Sequence, residues 1–183
     1  MLATLVSDKL DFPNLSMVGV DDRAAAYQAV SYLIQQGHRK IAVLGGPATS
    51  HPSMMRRQGA QQAMEDAGIR FEDKLYGLSN YDFESAYHAM NGLLARRAEF
   101  TALFAMSDVI AFGAIRALVS AGLRVPEDVS VIGFDGITMS RYCVPVMTTI
   151  VQPSEQIALQ SIELLVRQIE HGLSLIHISE PTR

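Results

Sequence analysis

Apolar positions along this chain come in two rhythms. Short runs of five or six residues, mostly apolar and rich in Val, Ile and Leu, recur at 2–6, 15–20, 40–44, 101–105 and 129–134, each leading into a polar or glycine-containing turn. Such runs read as strands buried on both faces, which is the signature of a parallel sheet. Between them apolar residues return at helical spacing. Tyr27, Val30 and Ile34 do so within 23–36, and Tyr87, Met90 and Leu94 within 83–95. Arg57, Ala60, Met64 and Ala67 share one line within 54–67, and Ala158, Ile162, Leu165 and Ile169 share one after Ser154. Asp21 or Asp22 is placed to cap the first helix, and Gly37 and Gly68 to end the first and second. A weaker strand at 75–78 leads to Asn80 and Tyr81. The order β-β-α-β-α-β-α-β-α-β-α predicts an α/β protein of open, doubly wound parallel sheets.

The most informative stretch is 101–152. It reads strand, Ser107-Asp108, helix, strand, Asp135-Gly136, then a return through Pro145 to Gln152. In parallel sheets ligands sit outside the carboxyl ends of the strands, and this is where Asp108 and Asp135 fall. The helix 109–121 has Arg116 and Ser120 as its only strongly polar members, so it is expected to be covered on two sides. One cover is the sheet and the other a partner subunit, with a merely well-buried helix as the alternative.

Composition narrows the function. The 183 residues carry a formal charge of −4, which argues against this segment itself gripping DNA phosphates. No apolar run approaches the ~20 residues of a membrane span. A single cysteine, Cys143, allows no internal disulfide and fits a reducing compartment. No secretory signal is visible, and a cytoplasmic location is expected. The histidines lack metal-ligand spacing, and there is neither a nucleophile elbow nor a phosphate-binding P-loop. An enzyme, a metal site and a cofactor are therefore not expected.

The stretches Thr101-Ala102-Leu103-Phe104, Ser107-Asp108, Ala111-Phe112-Gly113-Ala114, the run from Gly122 to Asp135, and Pro145-Val146-Met147-Thr148-Thr149 resemble the effector-binding core of the lactose-repressor/galactose-repressor family of transcriptional regulators. Val20-Asp21 and Gly37-His38-Arg39-Lys40-Ile41-Ala42 fit the same family upstream, and the likeness runs from about residue 3 to 172. It implies a periplasmic-binding-protein-like fold of type I, with a partial N-terminal lobe at 1–22 and an effector-binding lobe at 23–142. A crossover at 143–172 would return the chain to the first lobe. A DNA-binding headpiece, a hinge and half of the first lobe would precede Met1, and 173–183 reads as a non-native tail.

The resemblance further implies a small sugar or related metabolite as effector, a homodimer, and operator DNA bound through the absent headpiece. Asp135 matches the aspartate that accepts from ligand hydroxyls; a turn residue bonding its own backbone is the alternative. Arg56 matches the arginine that forks two hydrogen bonds to the ligand, leaving Arg57 as the solvated neighbour. Tyr81 matches an aromatic laid against the ligand, and Gln152 a glutamine on the return crossover. Ser107 stands where relatives often carry asparagine, with Asp108 beside it expected to cap the helix. Asp8 would contribute from the other lobe. His51, on the loop before Arg56, is a weaker candidate, and His38 reads as structural. A stand-alone sugar-binding protein of a transport system is the rival reading.

Overall fold

The computed structural model describes residues 4–6, 16–97, 99–171 and 177–180. Asp8 lies outside the described residues. In chain order the elements are β1 (Thr4–Val6), β2 (Ser16–Val20), α1 (Asp22–Gln35), β3 (Ile41–Gly45), α2 (His51–Asp66), β4 (Tyr76–Leu78), α3 (Phe83–Ala95), β5 (Ala102–Ala105), α4 (Asp108–Ser120), β6 (Ser130–Asp135), β7 (Thr148–Val151), α5 (Ser154–His171) and β8 (His177–Glu180).

Five parallel strands form the main sheet in the order β4-β3-β5-β6-β7. Strand pleat sorts its side chains into two layers. Ile41, Val43, Phe104, Ile132 and Phe134 meet Ala25, Ala29, Val30, Leu33, Ala60 and Met64 of α1 and α2. Ala42, Leu44, Leu103, Ala105 and Val131 meet Ala86, Met90, Leu93, Ile110, Ala114 and Leu118 of α3 and α4 on the opposite face. Two glycines let each helix pair approach backbone to backbone. A Cβ on Gly59 would lie 2.0 Å from the Arg23 carbonyl oxygen, and one on Gly113 would lie 2.4 Å from that of Phe83. α3 covers a second side of α4, while Val119 of the same helix is 52% exposed.

A smaller parallel sheet, β1-β2-β8, carries α5. Within 173–183, set aside from the sequence as a tail, His177–Glu180 pairs with β2, Val18 opposite Ile178. Ile157 and Leu164 of α5 pack on Val18, while Ile162 and Ile169 are 61% and 62% exposed. The line expected to face the core, Ala158-Ile162-Leu165-Ile169, is therefore not the buried one. The small sheet takes a neighbouring, half-polar line, Ile157, Leu164 and Gln168, and leaves the more apolar line outward. The chain enters the main sheet's layers at Asp22 and leaves after Val151, since β7 pairs with β6, Asp135 opposite Val151. The segment 143–172, expected as a crossover, thus contains a sheet strand before it crosses.

Candidate functional site

In the main sheet the direction of winding reverses between β3 and β5. At such a switch point the loops leaving two adjacent strands part, and their carboxyl ends open a crevice. Here those loops are Gly45-Gly46 and Met106-Ser107, flanked by Asp135 at the end of β6.

Arg56 reaches this point from the first turns of α2. The residue is 6% exposed, and its guanidinium lies 3.7 Å from the centre of the Phe134 ring. Nε donates to Asp22 Oδ1 at 2.8 Å, and Nη1 donates to the Met106 carbonyl. The same Nη1 stands 3.8 Å from Asp135 Oδ1. Asp135 in turn accepts from Gln152 Nε2 at 2.6 Å. A continuous polar chain, Asp22–Arg56–Asp135–Gln152, therefore crosses the end of the sheet. Its outer members sit where the chain enters and leaves the main sheet's layers.

Local backbone supports this geometry. Asp135 has φ +120° and Tyr81 φ +58°, conformations that cost a non-glycine residue energy and tend to cluster at functional positions. The Tyr81 ring covers Gly46 so closely that a Cβ there would lie 2.0 Å from it. Its hydroxyl is buried without a hydrogen-bond partner among the described residues. Such an orphan is costly unless something supplies a partner.

Asp22 escaped the sequence reading as a site residue. Its signal was present, two aspartates in succession after a strand, of which only one is needed as a cap. Asp21 takes that role, accepting from the Ala24 N–H at 2.9 Å, and Asp22 is left to face α2. Burial raises the Asp22 pKa, opposed by the charge and hydrogen bond of Arg56 and by His51.

Asp108 is not the cap of α4. Ser107 is, accepting from the Val109 N–H at 3.2 Å. Asp108 is fully buried instead, accepting from the Ile137 N–H at 2.8 Å and from the Thr149 hydroxyl. Gly133 leaves the room, since a Cβ there would lie 2.3 Å from Asp108 Oδ1. Burial raises this carboxyl's pKa as well. It is a staple that fixes β7 and the loop after β6, and hence Asp135. Ser107 lies beside Met106 with its hydroxyl committed to its own helix. His38 bonds Thr101 at 2.9 Å at the far end of the strands.

Another concavity, about 390 Å³, lies at that far end, lined by Tyr32, Gln36, His38, Ser130, Met147 and Thr148 among others. It holds no carboxylate or guanidinium. Among the described residues no cluster of metal-ligating side chains occurs, and no helix is long and apolar enough to cross a membrane.

Residues 30–182 match the model of the periplasmic binding protein-like domain. The HTH-type transcriptional regulator MalR of Clostridium butyricum is 40% identical over 150 residues, 82% of this chain and 45% of that protein. The solved complex of the transcriptional regulator CelR with cellobiose superposes with a TM-score of 0.93 at 32% identity, covering 98% of this chain and 56% of that one. A sugar-binding regulator of the LacI family from Escherichia coli, complexed with phosphate, gives 0.87 at 32% identity, covering 97% and 64%. The chain spans about half the length of the curated relatives it matches.

Proposed function

The chain belongs to the periplasmic binding protein-like domain family, and from that premise we propose that it is the effector-sensing part of a DNA-binding transcriptional repressor that responds to a small sugar-like ligand. The observation that carries the reading is the convergence of Arg56, Asp135 and Gln152 at the switch point. Carboxylate and amide groups held in fixed positions suit the hydroxyls of a polyol, because such a site loses heavily when those hydroxyls are absent. Tyr81 would lie against the ligand and find a partner for its hydroxyl, and Asp8 would act from the other lobe. Ser107 would serve the site by ordering the start of α4.

Signalling follows from placement. A ligand that engages Asp135 and Gln152 touches the segment leading back to the smaller sheet, so its binding energy would bias the relative setting of the two sheets. About 1–3 kcal/mol of coupling is enough for such control. The reading includes a cytoplasmic homodimer whose headpieces engage operator DNA. The exposed apolar loop with Tyr142, Val144 and Val146, 76%, 96% and 72% accessible, offers a surface for the second subunit. That the named relatives are regulators favours this reading over a transport protein.

The test is calorimetric titration of the chain with a panel of neutral mono- and disaccharides, followed by the best ligand against Asp135→Ala. A loss of at least tenfold is expected. Unchanged affinity in a folded Asp135→Ala would show that the ligand sits elsewhere.

A further inference from the structure

We propose that Asp22 sets the charge class of ligand admitted to the crevice, excluding anions and leaving it to neutral molecules. The inference rests on reading the crevice as a small-molecule site. An arginine buried at the carboxyl ends of parallel strands, with its planar fork free, would be a ready receptor for phosphate or carboxylate groups. Here two of its nitrogens are already engaged from within the chain. Asp22 takes Nε at 2.8 Å, the Met106 carbonyl takes Nη1, and Phe134 covers a face at 3.7 Å.

Charge points the same way. Asp22 neutralises Arg56, and Asp135 adds a second carboxylate 3.8 Å from the guanidinium. Asp22, Arg56 and Asp135 together carry one more negative than positive charge. An incoming anion therefore meets an arginine whose charge is already matched by Asp22, and two carboxylates of its own sign. A neutral hydroxyl meets acceptors without repulsion. Removing the Asp22 charge while keeping its shape should reverse the preference. At a few ångströms and an effective dielectric near 20, one charge changes anion affinity by about tenfold or more.

The experiment titrates inorganic phosphate into the chain, into Asp22→Asn and into Asp22→Asn/Arg56→Gln, with cooperative melting as the check on folding. A tightening of at least tenfold in Asp22→Asn that disappears in the double variant is expected. Equal phosphate affinity in the wild-type chain and Asp22→Asn overturns the proposal, as does a gain that survives loss of Arg56. If Asp22→Asn does not fold, Asp22→Ser carries the same expectation. The neutral sugar panel separates the two readings. Sugar binding with no phosphate gain sinks the role of Asp22 alone, whereas a phosphate gain in a chain that binds no sugar sinks the sugar reading and keeps that role.

Discussion

Replacing Arg56 with alanine should damage stability as well as ligand response. The side chain is the hub of the polar chain, and its residue is only 6% exposed. Truncation leaves the Asp22 carboxylate, whose side chain is 12% exposed, without its Nε–H donor, and leaves the Met106 carbonyl without Nη1. Breaking a buried pair by removing one partner costs about 3–5 kcal/mol, because the other charge stays behind. Loss of the guanidinium from the Phe134 ring adds about 1 kcal/mol. For a chain of this length the total corresponds to a fall in Tm of roughly 10–20 °C. Urea unfolding followed by circular dichroism measures it. In the cycle with Asp22→Asn, the pair should show a coupling of about 1–3 kcal/mol. A loss below about 1 kcal/mol with an unchanged denaturant slope would refute the reasoning, since Arg56 would then be a ligand arm held ready and not a structural tie. It follows that a silent Arg56→Ala says little about the ligand by itself. Asp135, with its side chain 26% exposed, is the cleaner probe.

Two other outcomes follow from the buried carboxylates. Asp108→Ala removes the acceptor of the Ile137 N–H and the Thr149 hydroxyl and should cost about 3–4 kcal/mol, read as a lower urea midpoint; a change under 1 kcal/mol would mean that water or a neighbour replaces it. Asp22 and Asp108 both have pKa values raised by burial, so the folded chain holds these protons more tightly than the unfolded one. Their contribution is fully present below the unfolded value of 3.8 and is lost as pH rises through the folded values. Asp128 has the opposite sign. Arg124 lowers it to about 2, so its contribution is present above 3.8 and lost as pH falls toward 2. The stability difference between the wild-type chain and Asp22→Asn should therefore drift against the wild type as pH is raised from 4; a difference independent of pH would contradict the assignment.

Much of the architecture was legible because both-face burial leaves a plain mark. Residues 40–44 and 101–105 are apolar nearly throughout, as strands of a parallel sheet covered on both sides are, and their shortness sets them apart from buried helices. What the pattern hid was that α5 buries a half-polar line, Ile157, Leu164 and Gln168, and leaves its most apolar line outward. In α5 the choice depends on how much sheet lies opposite, which no local spacing encodes. The site was legible as residue types after turns, and Arg56, Asp135 and Gln152 do come together. The roles of the adjacent pairs were not. Asp21 and Asp22 are chemically identical, as Ser107 and Asp108 are nearly equivalent as caps, and only the direction of the preceding strand decides which one faces inward. In both pairs the residue released from capping became the buried tie.

That division of labour also bears on how the crevice would transmit a signal in the proposed reading. A ligand shifts a conformational balance only by what it contacts differently in the two states. If the polar chain joined residues of a single helix, occupying it would change affinity and nothing else. Instead its ends are Asp22, one residue past Asp21 at the foot of β2's exit, and Gln152, one residue past β7. Both positions belong to the only described segments that pass between the two sheets through the site. In the proposed reading, a hydroxyl that draws Asp135 away from Gln152 would loosen one of these segments, while Arg56 would keep the other fixed through Asp22. On that reading the asymmetry would give an entering ligand a lever on the second crossover and an anchor on the first, and it would be lost if Asp22 were removed along with the charge it supplies.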